Sequence, residues 1–203
     1  MPENRPSRRP LETLAAITGI GCRLPAGVHG PAALWETLLK SEVLPRPIPP
    51  RRWERMSALL HPEQRPEQPW TAGVIDDIDA FDHQAFSIPA AEAAQMDPQQ
   101  RMLLEVVVEA LADAGIPPSS LAGSRTGVWA GSASFDIAAL NFAPGLRVDM
   151  HTVSGTSPSI LANRISYVLD LRGPSLAVDT ACSASGTALH LARQAVELGE
   201  VDT

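Results

Sequence analysis

Short apolar segments alternate along this chain with segments of helical periodicity, and this alternation constrains its fold more than any other feature. Apolar runs typical of buried strands occupy residues 14–20, 127–131 and 176–178. Apolar side chains recur at helical spacing in residues 30–39, 98–114, 160–167 and 188–198. The order predicts an α/β domain in which helices flank a mostly parallel, mixed sheet.

The helix over residues 98–114 has the clearest start signal. Asp97 is predicted to cap it, Pro98 suits the first helical position, and Gln100 is predicted to complete a capping box. Gly115 then provides the stop. We therefore expect one long helix in the middle of the chain.

The length and composition of the chain limit the size of its core and the kinds of partner and location that we expect. The chain has 203 residues, 44% of them hydrophobic, which is enough for one sizeable core. Lys plus Arg number 16 and Asp plus Glu number 23, and this net charge of −7 argues against nucleic acid as a partner. No run approaches the roughly 18 apolar residues of a membrane span, and no secretory signal is recognisable. We expect a cytoplasmic chain without membrane contact, preceded by a disordered tail over residues 1–12.

The cysteines and histidines do not form a metal-binding pattern. Cys22 and Cys182 are far apart and belong to no Cys-x-x-Cys pair. The five histidines lack the close spacing of a helical metal pair. The prediction is that the chain holds no metal.

Cys182 lies where a predicted strand gives way to a predicted helix. The free amides and positive end of a helix favour a thiolate, and the small neighbouring residues leave the sulfur open to an acyl group. Asp179 and Thr180 are predicted to fix this turn through local hydrogen bonds. A nucleophile for acyl transfer is therefore one interpretation of Cys182, and a small buried apolar side chain is the other.

A thiol hydrolase would need a histidine beside the cysteine sulfur. His190 follows Cys182 by eight residues in the same predicted helix. At about 1.5 Å of rise per residue, it lies roughly 12 Å along the axis. His190 is therefore not the immediate base.

The sequence around Cys182 resembles the active-site region of β-ketoacyl synthases, particularly the ketosynthase domains of modular polyketide synthases. The run VDTACSAS carries the likeness, preceded by GTSPSILANRISYVLDLRGPS and followed by ALHLA. Upstream, the segments ITGIGCRLPAG, ALWETLL and AEAAQMDPQQRMLLEVVVEALADAGI resemble the opening strand, first helix and long helix of that family. The likeness extends over about residues 14–203.

The resemblance implies a thiolase-like fold, of which residues 13–203 would be the N-terminal half, truncated at its C-terminus. Cys182 would accept an acyl chain from the phosphopantetheine arm of an acyl carrier protein, and its backbone amide would help to hold the oxyanion. A malonyl-type extender would then lose carbon dioxide and attack the thioester. The resemblance further implies a homodimer with no bound cofactor. His151 and Thr156 lie near the loop that precedes the ANRISY segment, and we expect them to border an acyl tunnel.

The chain also departs from that family. The two histidines and the lysine of the family's second half are absent, so three alternatives stay open: an inactive fragment, a split enzyme whose partner chain supplies the histidines, and thioester exchange without condensation. Ala184 and Gly186 stand where many polyketide ketosynthases have Ser and Leu. Gly186 would either widen an acyl channel or allow close helix packing.

Overall fold

The computed structural model describes residues 15–134, 136–141 and 148–203. The tail predicted over residues 1–12 lies outside this part of the chain, as does Leu14 at the start of the first predicted strand. The helices are α1 Gly30–Lys40, α2 Pro50–Ser57, α3 Ala90–Ala93, α4 Pro98–Asp113, α5 Asp136–Asn141, α6 Met150–Thr156, α7 Pro158–Val168 and α8 Ala184–Glu197. The strands are β1 Arg23–Leu24, β2 Val28–His29, β3 Arg46–Pro47, β4 Thr71–Ala72, β5 Val128–Gly131 and β6 Ser175–Val178.

The strands β5 and β6 form a parallel pair that carries the candidate site. Val128 lies opposite Ser175, and Gly131 lies opposite Val178. The amide of Ser132 donates to the carbonyl of Val178 at 3.1 Å, so the pairing continues one residue past the end of β5. In the remaining pairs of the described residues, β1 with β2 and β3 with β4, the strands are antiparallel and two residues long.

Helices cover both faces of the β5–β6 pair. Ala130 packs with Leu161 and Ala162 of α7, whereas the next residue, Gly131, meets the start of α8. Because successive residues of a strand face opposite sides, α7 and α8 lie on opposite faces. This layered arrangement confirms the predicted α/β class with flanking helices.

The main core lies beside the sheet, where α4 packs on α7. Its buried side chains come from α3, α4, α7 and the adjoining loops. They are Ile88, Ala93, Met96, Leu104, Ile165 and Leu171.

The backbone of α8 approaches β5 at Gly131. A Cβ atom at this position would lie 2.6 Å from the backbone nitrogen of Ser185 and 2.7 Å from the carbonyl carbon of Ala184. Both neighbours are backbone atoms at the start of a helix, so they cannot turn aside as a long side chain can. The absence of a side chain at Gly131 therefore sets how closely the first turn of α8 lies against the strand.

The helix α4 is found where it was predicted. Asp97 caps it by accepting a hydrogen bond from the amide of Gln99 at 2.8 Å, and Pro98 is its first residue. The capping box predicted for Gln100 is wrong. The Gln100 side chain instead donates to the carbonyls of Ser154 and Gly155 at the end of α6, 3.2 and 3.0 Å away.

The strand predicted over residues 14–20 is wrong in its described part, because residues 15–20 form neither helix nor strand. The segment lies along α4, and the amide of Ile20 donates to Asp113 Oδ2 at 2.9 Å. A Cβ atom at Gly19 would lie 2.2 Å from the carbonyl oxygen of Ala110. An apolar run needs a partner strand to form a ladder, and no described strand pairs with this segment.

We expect Gly131→Ala to destabilise the fold, because the new methyl group collides with backbone that cannot move aside. The expected loss in the free energy of unfolding is about 1–3 kcal/mol, measured by urea denaturation. Ser185→Ala is the matched control, since Ser185 is exposed on the same turn of α8 and should change the value by no more than about 0.5 kcal/mol. Equal stability of the two variants would contradict the proposed contact.

Candidate active site

The turn between β6 and α8 carries Cys182. The strand ends at Val178, the helix begins at Ala184, and the Cys182 side chain is exposed between them. The other cysteine, Cys22, is only partly exposed. The sulfur of Cys182 is thus accessible at the start of a helix, where the sequence analysis puts it.

The backbone of this turn is held by short-range hydrogen bonds. Asp179 Oδ1 accepts from the amide of Ala181 at 2.9 Å, and Ala181 has a left-handed backbone with φ of 52°. The amide of Ser183 donates to the carbonyl of Thr180 at 3.3 Å, and the amide of Ala184 donates to that of Ala181 at 2.9 Å. Left-handed backbone is unfavourable for alanine, so Asp179 stabilises a conformation that the turn would not otherwise adopt.

Three hydroxyl groups surround the same turn. Ser183 Oγ lies 2.9 Å from Thr180 Oγ1 and donates to the Thr180 carbonyl at 2.8 Å. Thr187 Oγ1, one turn into α8, lies 3.0 Å from Thr180 Oγ1. The sequence analysis identified Thr180 but missed Thr187. The signal was available, because hydroxyl residues at positions 180, 183 and 187 follow helical spacing.

His151 and Thr156, the predicted tunnel residues, both lie on α6. Thr156 is buried, and its hydroxyl donates to the Thr152 carbonyl at 2.7 Å. Thr156 also borders a small recess with Ser132 and Ser134, which follow β5. Because β5 and β6 are parallel, this recess lies at the end of the sheet from which the Cys182 turn emerges. Within the described residues, no hydrogen bond joins His151 or Thr156 to that turn.

A buried polar network fixes the C-terminal end of α6. Gln100 donates to the last carbonyls of the helix, and Arg164 Nε donates to Gln100 Oε1 at 2.8 Å. Arg164 is 8% exposed and forms an ion pair with Glu92 at 2.6 Å. The carbonyls that a helix leaves unpaired at its end thus receive side-chain donors. The sequence analysis did not identify this pairing of Arg164 with Gln100.

The N-terminal end of α6 is capped by Asp149. Asp149 Oδ1 accepts from the amide of Thr152 at 3.0 Å, and Thr152 Oγ1 accepts from the amide of Asp149 at 3.1 Å. The pKa of Asp149 is lowered, first by the hydrogen bond from the Gln95 side chain and then by that from the Thr152 amide. The cap therefore keeps its charge to lower pH than an ordinary aspartate would.

The described residues contain neither a cluster of metal-binding side chains nor a helix able to cross a membrane. No three His, Cys, Asp or Glu side chains among them are placed to hold one ion. Their helices are too short or too polar for a membrane span.

Residues 15–203 match the family model of the β-ketoacyl synthase N-terminal domain. The chain belongs to this family. One phenolphthiocerol/phthiocerol polyketide synthase protein of Mycobacterium tuberculosis is 46% identical over 199 residues, which are 95% of this chain and 10% of that protein. Another protein of the same synthase and organism is 44% identical over 203 residues, 98% of this chain and 13% of that protein. The chain thus spans about a tenth of the curated relatives it matches.

Solved ketosynthases have the same fold. The ketosynthase from module 6 of the bacillaene synthase of Bacillus subtilis 168 is 34% identical, with a TM-score of 0.73 over 91% of this chain and 29% of that chain. An oxazolomycin ketosynthase domain of Streptomyces albus JA3453 is 30% identical, with a TM-score of 0.71 over 91% of this chain and 32% of that chain. The predicted thiolase-like fold is confirmed, and the chain corresponds to about a third of these ketosynthases.

We expect Asp179→Ala to destabilise the turn, because the Ala181 amide loses its acceptor while the backbone stays left-handed. The loss in the free energy of unfolding should be about 1 kcal/mol, and amide exchange at Ala181 should accelerate. Asp179→Asn keeps an amide oxygen in the same place and should retain most of the stability. If Asp179→Asn loses as much stability as Asp179→Ala, the side chain of Asp179 does not hold the turn.

Proposed function

We propose that Cys182 is the acyl-accepting nucleophile of a β-ketoacyl synthase in polyketide or fatty acid biosynthesis. The observation that carries the proposal is an exposed cysteine between β6 and the start of α8, in a chain whose family covers residues 15–203. The exposure of the Cys182 side chain gives a thioester access to the sulfur, as nucleophilic catalysis requires. The hydrogen-bonded turn keeps the sulfur in one place relative to an incoming thioester.

The first step is thioester exchange. The Cys182 thiolate attacks the carbonyl carbon of an acyl group on the phosphopantetheine of an acyl carrier protein. A new carbon–sulfur bond forms, the old one breaks, and the carrier sulfur leaves as a thiolate that takes up a proton. The backbone amide of Cys182 is the proposed oxyanion donor, and Asp179 and Thr180 support its turn.

The second step is decarboxylative condensation. A malonyl-type extender on a carrier protein loses carbon dioxide, and the resulting carbanion attacks the Cys182 thioester. The carbon–carbon bond forms as the bond to Cys182 breaks, which frees the thiolate and leaves the β-ketoacyl group on the extender's carrier. The charge of the carbanion requires donors, which we assign to a second ketosynthase half rather than to histidines of this chain.

The remaining assignments concern the whole protein. An acyl carrier protein is the proposed donor, and the proposed assembly is a homodimer or a pair with a C-terminal ketosynthase half. We assign residues 13–203 to the N-terminal half of the domain. No bound cofactor is proposed. Thr156 is kept as a candidate tunnel residue because it borders the recess at the sheet end, and His151 is kept as a candidate on the sequence alone. The cytoplasmic location expected from the sequence stays a prediction.

Acyl loading tests the first step. The full chain is incubated with an acetyl thioester of phosphopantetheine, and the modified peptide is identified by mass spectrometry. We expect an acetyl adduct on Cys182 that disappears in Cys182→Ala and persists in Cys22→Ala, the matched cysteine control. An unmodified wild-type chain, or an adduct that survives Cys182→Ala, would overturn the assignment.

Addition of malonyl-loaded carrier protein to the acylated chain tests the second step. If a β-ketoacyl group forms on the carrier protein, this chain carries out the full condensation. Stable acyl-Cys182 without product assigns thioester exchange alone and makes the second half the source of the condensing groups.

A further inference from the structure

Thr187, one turn into α8, uses its hydroxyl differently from two other helical threonines of the chain. The hydroxyls of Thr37 and Thr156 donate to the carbonyls four residues earlier in their own helices, at 2.8 and 2.7 Å. This bond is common within helices because the carbonyl of the preceding turn lies within reach of the hydroxyl. Thr187 Oγ1 instead lies 3.0 Å from Thr180 Oγ1, which belongs to the turn before the helix. The Thr187 side chain therefore links α8 to the turn that carries Cys182.

Thr180 lies at the centre of this link. Its Oγ1 lies 2.9 Å from Ser183 Oγ and 3.0 Å from Thr187 Oγ1, so the three hydroxyls form one continuous chain. The Thr180 carbonyl also accepts from the amide of Ser183 at 3.3 Å and from its hydroxyl at 2.8 Å. Thr180 is thus held from α8, two residues before Cys182.

The backbone beside Cys182 needs such support. Ala181, between Thr180 and Cys182, has a left-handed backbone with φ of 52°. A non-glycine residue keeps this conformation only where the surrounding structure holds it. Asp179 holds Ala181 from the strand side, through the amide at 2.9 Å, and the hydroxyl of Thr187 acts from the helix side through Thr180.

We propose that Thr187 is a positioning residue for acyl transfer to Cys182. Through Thr180, its hydroxyl holds the turn in the arrangement in which the Cys182 sulfur and the Cys182 backbone amide address the same thioester carbonyl. This inference rests on the proposed acyl-accepting function. Acyl transfer needs both groups at once, because the amide holds the oxyanion while the sulfur attacks. Alkylation by iodoacetamide forms no oxyanion and needs only an accessible sulfur.

This difference between the two reactions gives the test, which uses the full chain. Thr187→Val replaces the hydroxyl by a methyl group and should slow acetyl loading from the phosphopantetheine thioester by about 10-fold, because a small misplacement of reacting groups costs that much. Alkylation of Cys182 should stay within about 2-fold of wild type, since the sulfur stays exposed. Thr187→Ser keeps a hydroxyl and should restore loading to within about 3-fold of wild type. Ser185→Ala, exposed on the same turn of α8, is the control and should react as wild type does in both assays.

The route through Thr180 is tested by combining substitutions. If Thr187 acts through Thr180, Thr187→Val should slow loading no further in a chain that already carries Thr180→Val, because coupled residues are not additive. If Thr187→Val slows loading by the same factor in both backgrounds, the proposed route is wrong.

Each remaining result decides a specific point. Wild-type loading by Thr187→Val overturns the inference, and so does a Thr187→Ser variant as slow as Thr187→Val. Equal slowing of loading and alkylation also overturns it, because the substitution has then withdrawn the sulfur itself. If Thr187→Val does not fold, Thr187→Ala gives the same comparison. A wild-type chain that takes no acetyl group at Cys182 overturns the proposed function and this inference with it, whereas unchanged loading in the variants removes only the role of Thr187.

Discussion

The close approach of α8 to β5 is the contact on which the site depends. At Gly131 the backbone of the strand lies against the backbone at the start of the helix, and a side chain there would separate them. The parallel pairing of β5 with β6 brings the end of β6 to the same place. The strand before the Cys182 turn and the helix after it therefore both lie against the end of β5. Because Gly131 has no side chain, the two can approach closely, and this approach sets the position of the turn.

The start of α4 links this contact to α6. Gln99 accepts a hydrogen bond from Ser132, just past the end of β5, at 3.1 Å. The next residue, Gln100, binds the terminal carbonyls of α6. Adjacent side chains of one helix thus hold the end of the sheet and the helix that carries His151 and Thr156. These hydrogen bonds connect the end of β5, next to the Cys182 turn, with α6, and so place the candidate site on regular elements.

Sequence reasoning predicted what local signals determine. The Asp97 cap and Pro98 define the start of α4, and the apolar run ahead of Cys182 defines β6. The predictions failed where the structure of a segment depends on contacts with residues distant in sequence. Gln100 fits a capping box, but its side chain pairs with carbonyls more than fifty residues away. The apolar run at residues 15–20 resembles a strand, yet Gly19 brings it against α4 instead.

The reactivity of Cys182 in the folded chain tests the central claim most directly. The rate of alkylation by iodoacetamide, resolved for each cysteine by mass spectrometry, is compared between the native chain and the chain in urea. The account predicts that Cys182 is alkylated in the native chain about as fast as in urea, because its side chain is exposed between β6 and α8, whereas the partly exposed Cys22 is alkylated more slowly in the native chain. A Cys182 that is alkylated much more slowly in the native chain than in urea would contradict the account.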